Sequence, residues 1–66
     1  MYLQNKYTSV YNSIIERAKS RILPKEIYTE NHHIIPKSLS GTDDSANLVK
    51  LTAREHFICH LLLPKM

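Results

Sequence analysis

The sequence predicts a small α+β fold: an N-terminal helix, a two-stranded antiparallel hairpin and a C-terminal helix. Three observations predict it. Apolar residues recur at three- and four-residue steps through the first third of the chain. Two short β-like runs, Asn31 to Ile35 and Leu48 to Leu51, flank a loop rich in Ser, Asp and Asn. A capping box, Thr52 to Glu55, opens a last helical segment. The chain has 66 residues, which is one small domain or less. A domain of this size buries only about 60% of the surface its unfolded chain exposes. Hydrophobic residues are 42% of the chain, which argues against disorder by composition. The core is still thin, and a metal, a partner chain or a C-terminal extension would support it.

Residues 2–23 read as one amphipathic helix. Leu3, Tyr7, Val10, Tyr11, Ile14, Ala18 and Ile22 form its apolar stripe, and Ile15 widens it. Glu16, Arg17, Lys19, Ser20 and Arg21 supply the polar side. The tyrosines read as core and rim, not as a base-stacking platform. Pro24 disfavours a helical Leu23 and is expected to end the helix there. Residues 25–51 read as extended and turn-rich. Pro36 stops the first β-like run, and the loop from Lys37 to Asn47 holds the only Gly. Residues 52–63 read as the second helix, ended by Pro64. Phe57, Ile58, Leu61 and Leu62 are expected opposite its two histidines, and Cys59 reads as buried packing. The organisation expected is residues 1–24 as an N-terminal helix and 25–66 as a compact unit.

Several classes are excluded. Cys59 is the single cysteine, so neither a disulfide scaffold nor a Cys-based zinc ribbon is possible, and a reducing compartment fits. The apolar run Leu61 to Leu63 is far too short to span a membrane, and the first residues do not resemble a signal peptide. A cytoplasmic location without a membrane partner is therefore expected. Net charge is +3, and it is unevenly spread. Lys6, Arg17, Lys19, Arg21 and Lys25 face only Glu16 in residues 1–25. That imbalance fits either a polyanion contact or a solvated helix face.

All four histidines lie in the second half. His56 and His60 are four residues apart on one helix face, a spacing that suits two imidazoles on one metal ion or two surface histidines. His32 and His33 are adjacent on a strand and must point to opposite faces. One of them can complete a metal site; the other can face a substrate as a general base for water. Three protein ligands with an open position would make such a site catalytic, not structural. Asn47 can tie the long loop to the first strand, or be an ordinary turn residue.

Strand with His-His, loop, Asn, strand, and helix with a His pair is a ββα-metal arrangement. Here the sequence resembles the HNH endonuclease family. His33, Asn47 and His56 carry the core match, with His32 and His60 beside them. His32 to Gly41 and Asn47 to His60 resemble small homing-type HNH nucleases of bacteriophages, over about residues 28–63. Tyr7, Ile15, Ala18 and Arg21 extend the likeness more loosely. The resemblance implies a metal-dependent DNA endonuclease that nicks double-stranded DNA in the host cytoplasm, with a homodimer as one route to cutting both strands. It implies His33 as the general base, His32, His56 and His60 as metal ligands, and Asn47 as the residue orienting loop and base. Lys37, Lys50 and Arg54 become candidates for phosphate contacts. It implies one divalent cation. Mg2+ or Mn2+ would serve activity, whereas three imidazoles favour tight binding of Zn2+ or Ni2+. The chain has Ser40-Gly41 where relatives often show Gly-Gly, and it stops at Met66 where relatives often continue. A trimmed remnant and a minimal nicking module are both compatible with that. Two other readings compete. One is a nucleic-acid-binding module in which the metal is only a staple, against which stands His33. The other is a metal-free helical partner-binding peptide, which needs the hairpin pattern to be coincidence.

Overall fold

A computed structural model describes residues 4–66. Asn5 starts the first helix. Its side-chain carbonyl accepts from the Tyr7 and Thr8 amides at 2.9 and 3.0 Å, which satisfies two of the orphan donors of a helix start. The helix, α1, spans Lys6–Ser20. It is shorter than the predicted span, of which Tyr2 and Leu3 lie outside the described residues. It also ends before Leu23. Arg21 is already extended, at φ −100° and ψ 156°, and the Ser20 hydroxyl donates back to the Glu16 and Arg17 carbonyls. From this extended position the Arg21 guanidinium reaches Glu55. The cost of the early exit is visible at Ile22, which is 97% exposed instead of closing the stripe. Val10 is exposed as well, so the buried face is Thr8, Tyr11, Ile14, Ile15 and Ala18.

Both predicted strands are present and pair antiparallel, the second with the expected bounds and the first starting one residue earlier and ending two residues earlier. β1 is Glu30–His33 and β2 is Leu48–Leu51. Glu30 lies opposite Leu51, Asn31 opposite Lys50, His32 opposite Val49 and His33 opposite Leu48. The loop between them contains two single 3-10 turns, Lys37–Leu39 and Ser45–Asn47. Gly41 is required there by close approach: a Cβ would lie 1.6 Å from the Ile35 carbonyl oxygen. Its neighbour Ser40 takes a left-handed conformation, φ 71°, which a residue with a Cβ adopts at a cost.

Thr52 then caps the second helix, α2, Ala53–Leu62, and the expected capping box is present. The Thr52 amide donates to Glu55 at 2.9 Å and the Glu55 amide to the Thr52 hydroxyl at 3.3 Å. Pro64 sits inside a following 3-10 turn, Leu63–Lys65. The apolar face expected opposite the histidines is split. Cys59 is fully buried, and Ile58 and Leu62 pack beside the core. Phe57 and Leu61 are 64% and 52% exposed, because each lies about 160° round the helix from Cys59.

The core joins α1 (Tyr11, Ile14, Ile15, Ala18) to β2 (Val49, Leu51) and α2 (Cys59). A bidentate pair closes one side of it. Arg21 Nη1 donates to Glu55 Oε2 at 2.6 Å and Nη2 to Oε1. Arg21 first, then the Thr52 contacts, hold the Glu55 carboxyl at about 2, far below its ordinary 4.5. Among the described residues no helix is long and apolar enough to cross a membrane.

Two predictions come from this packing. Ser40→Gly should raise stability by about 0.5–1 kcal/mol by relieving the left-handed residue, whereas Gly41→Ala should be strongly destabilising; urea unfolding of both reads the contrast. Glu55→Gln should cost about 1.5–3 kcal/mol at pH 7. The folded carboxyl titrates near 2 and the unfolded one near 4.5. Its contribution is thus complete above pH 4.5 and fades as pH falls toward 2. The stability gap between native chain and variant should narrow over that range; a gap independent of pH would show that the ion pair is not its source.

Candidate metal centre

Strand alternation sorts the residues of β1. Glu30 and His32 share the face of Val49 and Leu51, turned toward α2, and Asn31 and His33 take the other. The capped start of α2 brings His56 and His60 over that inner face. His32, His56 and His60 each offer a ring nitrogen, all within 4.8 Å of one another. Ring centroids are 5.1 Å apart for His32 and His56, 5.5 Å for His32 and His60, and 4.7 Å for His56 and His60. The Nε2 atoms of His56 and His60 are 3.1 Å apart. Two imidazole nitrogens at about 2.0–2.1 Å from one zinc ion would lie about 3.3 Å apart at tetrahedral angles. The donor set and its spacing therefore fit a divalent ion.

Polar neighbours orient two of these rings. His56 Nδ1 lies 2.7 Å from Glu30 Oε1, so Nδ1 carries the proton and Nε2 the lone pair. The Tyr28 hydroxyl donates to the other Glu30 oxygen at 2.7 Å. The bonds from His56 and Tyr28 lower the Glu30 pKa. His32 is 3% exposed, and its Nε2 is 2.7 Å from the Tyr11 hydroxyl. Burial, then the neighbouring His56 and His60, push its pKa down to about 4, which keeps it neutral, as a ligand must be, at physiological pH.

His33 stands apart from the trio. Its Nε2 is 2.7 Å from Asp43 Oδ1, and the Lys37 ammonium is 2.9 Å from Oδ2 of the same carboxylate. Those two contacts, His33 first, lower the Asp43 pKa. Asn47 spends its side chain on the loop backbone. Its oxygen accepts from the Ile35 amide at 2.8 Å, and its Nδ2 donates to the Ile35 and Thr42 carbonyls at 3.0 and 2.8 Å. The four histidines and Lys37 line one open cleft of about 330 Å³. Lys50 instead lines a separate cavity with Arg21 and Lys25. Arg54 is exposed on the first turn of α2. Of the three basic candidates, only Lys37 borders the histidines.

Cys59 lies between the helix histidines in sequence but turns into the core, away from the His32, His56 and His60 cluster, and burial raises its thiol to about 11. Tyr11, Tyr28, Glu30 and Asp43 were missed by the sequence reasoning. Glu30 had a signal, since it precedes His32 by two residues and so shares its strand face. Asp43 had none, because its place depends on how an irregular loop closes.

With the geometry established, the chain was compared with known proteins. No family model and no solved structure matches it. It is 59% identical over 63 residues to probable mobile endonuclease D of Enterobacteria phage T4, covering 91% of this chain and 24% of that protein. It is 53% identical over 60 residues to probable mobile endonuclease E of the same phage, covering 91% of this chain and 42% of that one. This chain is similar to mobile endonucleases of a phage. A more distant likeness, 36% identity over 63 residues, is to an uncharacterized 38.5 kDa protein in psbA intron 1 of Chlamydomonas moewusii, of which the chain spans 18%. The chain thus spans roughly a quarter to two fifths of the phage relatives named here.

Glu30→Gln should weaken Zn2+ or Ni2+ binding about 10–100-fold, the usual effect of removing a carboxylate behind a ligating histidine. Calorimetric titration reads it, and an unchanged affinity would remove Glu30 from the centre.

Proposed function

We propose that the chain carries the nuclease centre of an HNH-type endonuclease, hydrolysing phosphodiester bonds of double-stranded DNA one strand at a time. The observation that supports this most is the division of the adjacent histidines: His32 joins His56 and His60, while His33 borders the same cleft without joining them. The similarity to mobile endonucleases agrees with it. A divalent ion held by His32, His56 and His60 would supply Lewis-acid stabilisation of charge on the phosphoryl and leaving oxygens. Mg2+ or Mn2+ suits turnover and Zn2+ or Ni2+ suits tight binding.

The rest of the chemistry belongs to side chains. The carboxylate of Asp43 accepts from His33 Nε2–H, so His33 Nδ1 keeps its lone pair. From there it accepts a proton from water as the water oxygen bonds to phosphorus and the bond to the leaving oxygen breaks. The leaving oxygen takes its proton from solvent. Lys37 offers a positive charge at the cleft mouth for a phosphate oxygen. Asn47 has no free atom aimed at substrate and acts by holding the loop that carries Asp43. Lys50 and Arg54 would meet phosphates outside the cleft. The reaction would take place in the host cytoplasm.

Nicking of supercoiled plasmid tests the proposal, with EDTA, Mg2+, Mn2+, Ni2+ and Zn2+ in separate arms. The native chain should relax the plasmid only with metal. His33→Ala should lower the rate about 10²–10⁴-fold, the usual worth of a general base, with metal affinity retained. Metal binding without nicking in any arm would overturn the nuclease and leave the ion as a staple for a binding module.

A further inference from the structure

We propose that Tyr11 is a positioning residue of the metal centre: its hydroxyl holds His32 in the tautomer that offers Nδ1 to the ion, while His56 and His60 offer Nε2. The inference rests on the metal site proposed above and adds which atom of each ring points inward. It follows from counting protons. A tyrosine hydroxyl has one proton and can accept as well as donate. The Tyr11 oxygen lies 2.8 Å from the Ile34 carbonyl oxygen, and a carbonyl only accepts. The proton must lie on that line, or two oxygens would face each other at 2.8 Å with nothing between them. The 2.7 Å contact to His32 Nε2 then has the ring as donor. A neutral imidazole with its proton on Nε2 has its lone pair on Nδ1.

The other two rings are oriented oppositely. His56 gives its Nδ1–H to Glu30, and its Nε2 faces the Nε2 of His60. Tyr11 is 1% exposed and lies on α1, 21 residues before His32. The N-terminal helix is thereby an outer support of the centre as well as a packing element. With the Tyr11 proton on the Ile34 carbonyl, the Nε2–H form of His32 is the one that keeps both of these contacts paired.

Long-range 1H–15N correlation spectra of the histidine rings in the labelled full chain test this. In EDTA, His32 should show the Nε2–H form. On adding Zn2+, its Nδ1 should shift, and the Nε2 of His56 and His60 should shift with it. Tyr11→Phe keeps the ring and removes the hydroxyl. It should weaken Zn2+ binding about 10–100-fold in competition with a chelating dye and let the His32 tautomer redistribute, with helix content kept by circular dichroism. A merely structural tyrosine would lower thermal stability and move neither the tautomer nor the affinity of the folded chain. If the variant does not fold, the native spectra decide alone. An Nδ1–H form of His32, or Zn2+ on its Nε2, overturns the inference, as does an unchanged affinity in a folded variant. Zn2+ bound through the assigned atoms without plasmid nicking in any metal arm overturns the nuclease and upholds this inference; no uptake of Zn2+ overturns this inference, and nicking with Mg2+ or Mn2+ then decides the nuclease separately.

Discussion

Four rungs of antiparallel pairing decide which histidine goes where. In the observed register His32 faces inward with Glu30, and His33 faces outward with Asn31. A slip of one residue would exchange the two faces completely. It would turn His33 toward α2 and carry Glu30 away from His56. Val49 and Leu51 oppose that slip, since both are buried on the inner face. Asn47 opposes it from the loop by binding the Ile35 amide and carbonyl and the Thr42 carbonyl. Gly41 lets the backbone pass close enough to Ile35 for this closure. The separation of the proposed ligand His32 from the proposed base His33 is thus a property of β geometry, secured by two apolar side chains and one amide.

A thin core makes the polar contacts matter more. Among the described residues seven buried side chains form it, four of them from α1. The contacts around it each join segments far apart in sequence. Arg21 grips Glu55, which also caps α2. Tyr11 ties α1 to His32 and Ile34. Asn5, the cap of α1, donates from its amide to the Lys65 carbonyl at 3.3 Å. Two of these contacts, those of Asn5 and Glu55, are made by residues that also cap a helix start. A divalent ion bridging β1 and α2 would add to the same set of constraints, so its binding and the folding of the chain are coupled.

Most of the architecture was legible because it rests on local rules. The strands showed in their flanking turn residues, and the start of α2 in Thr52 and Glu55. The His trio showed in the meeting of two periodicities, two residues for a strand and four for a helix. What escaped depends on tertiary partners. The end of α1 at Ser20 coincides with the Arg21 contact to Glu55, 34 residues beyond it; Pro24 marked only the latest point at which the helix could stop. The exposure of Phe57 and Leu61 escaped as well, because hydrophobicity alone does not say which side of a ten-residue helix meets the core. Tyr11 was read as packing, and it is packing; its hydroxyl was the clue to more, since a buried phenol needs a partner. Asp43 could not be inferred at all.

The charge balance of the proposed centre is one that would suit phosphate chemistry. Three neutral imidazoles cancel none of a divalent ion's charge. The nearest compensation is Glu30, one bond removed behind His56. Asp43, the other nearby carboxylate, is held by His33 and Lys37 instead. An ion bound here therefore keeps most of its positive charge for an incoming phosphate, unlike one in a carboxylate-rich site. The same neutrality weakens the hold on hard ions such as Mg2+, which prefer oxygen ligands, and strengthens it on borderline ions. Retention is then left to the orientation of the rings. Glu30 and Tyr11 aim lone pairs of His56 and His32 before any ion arrives, so the site offers preorganised geometry where it lacks ligand charge.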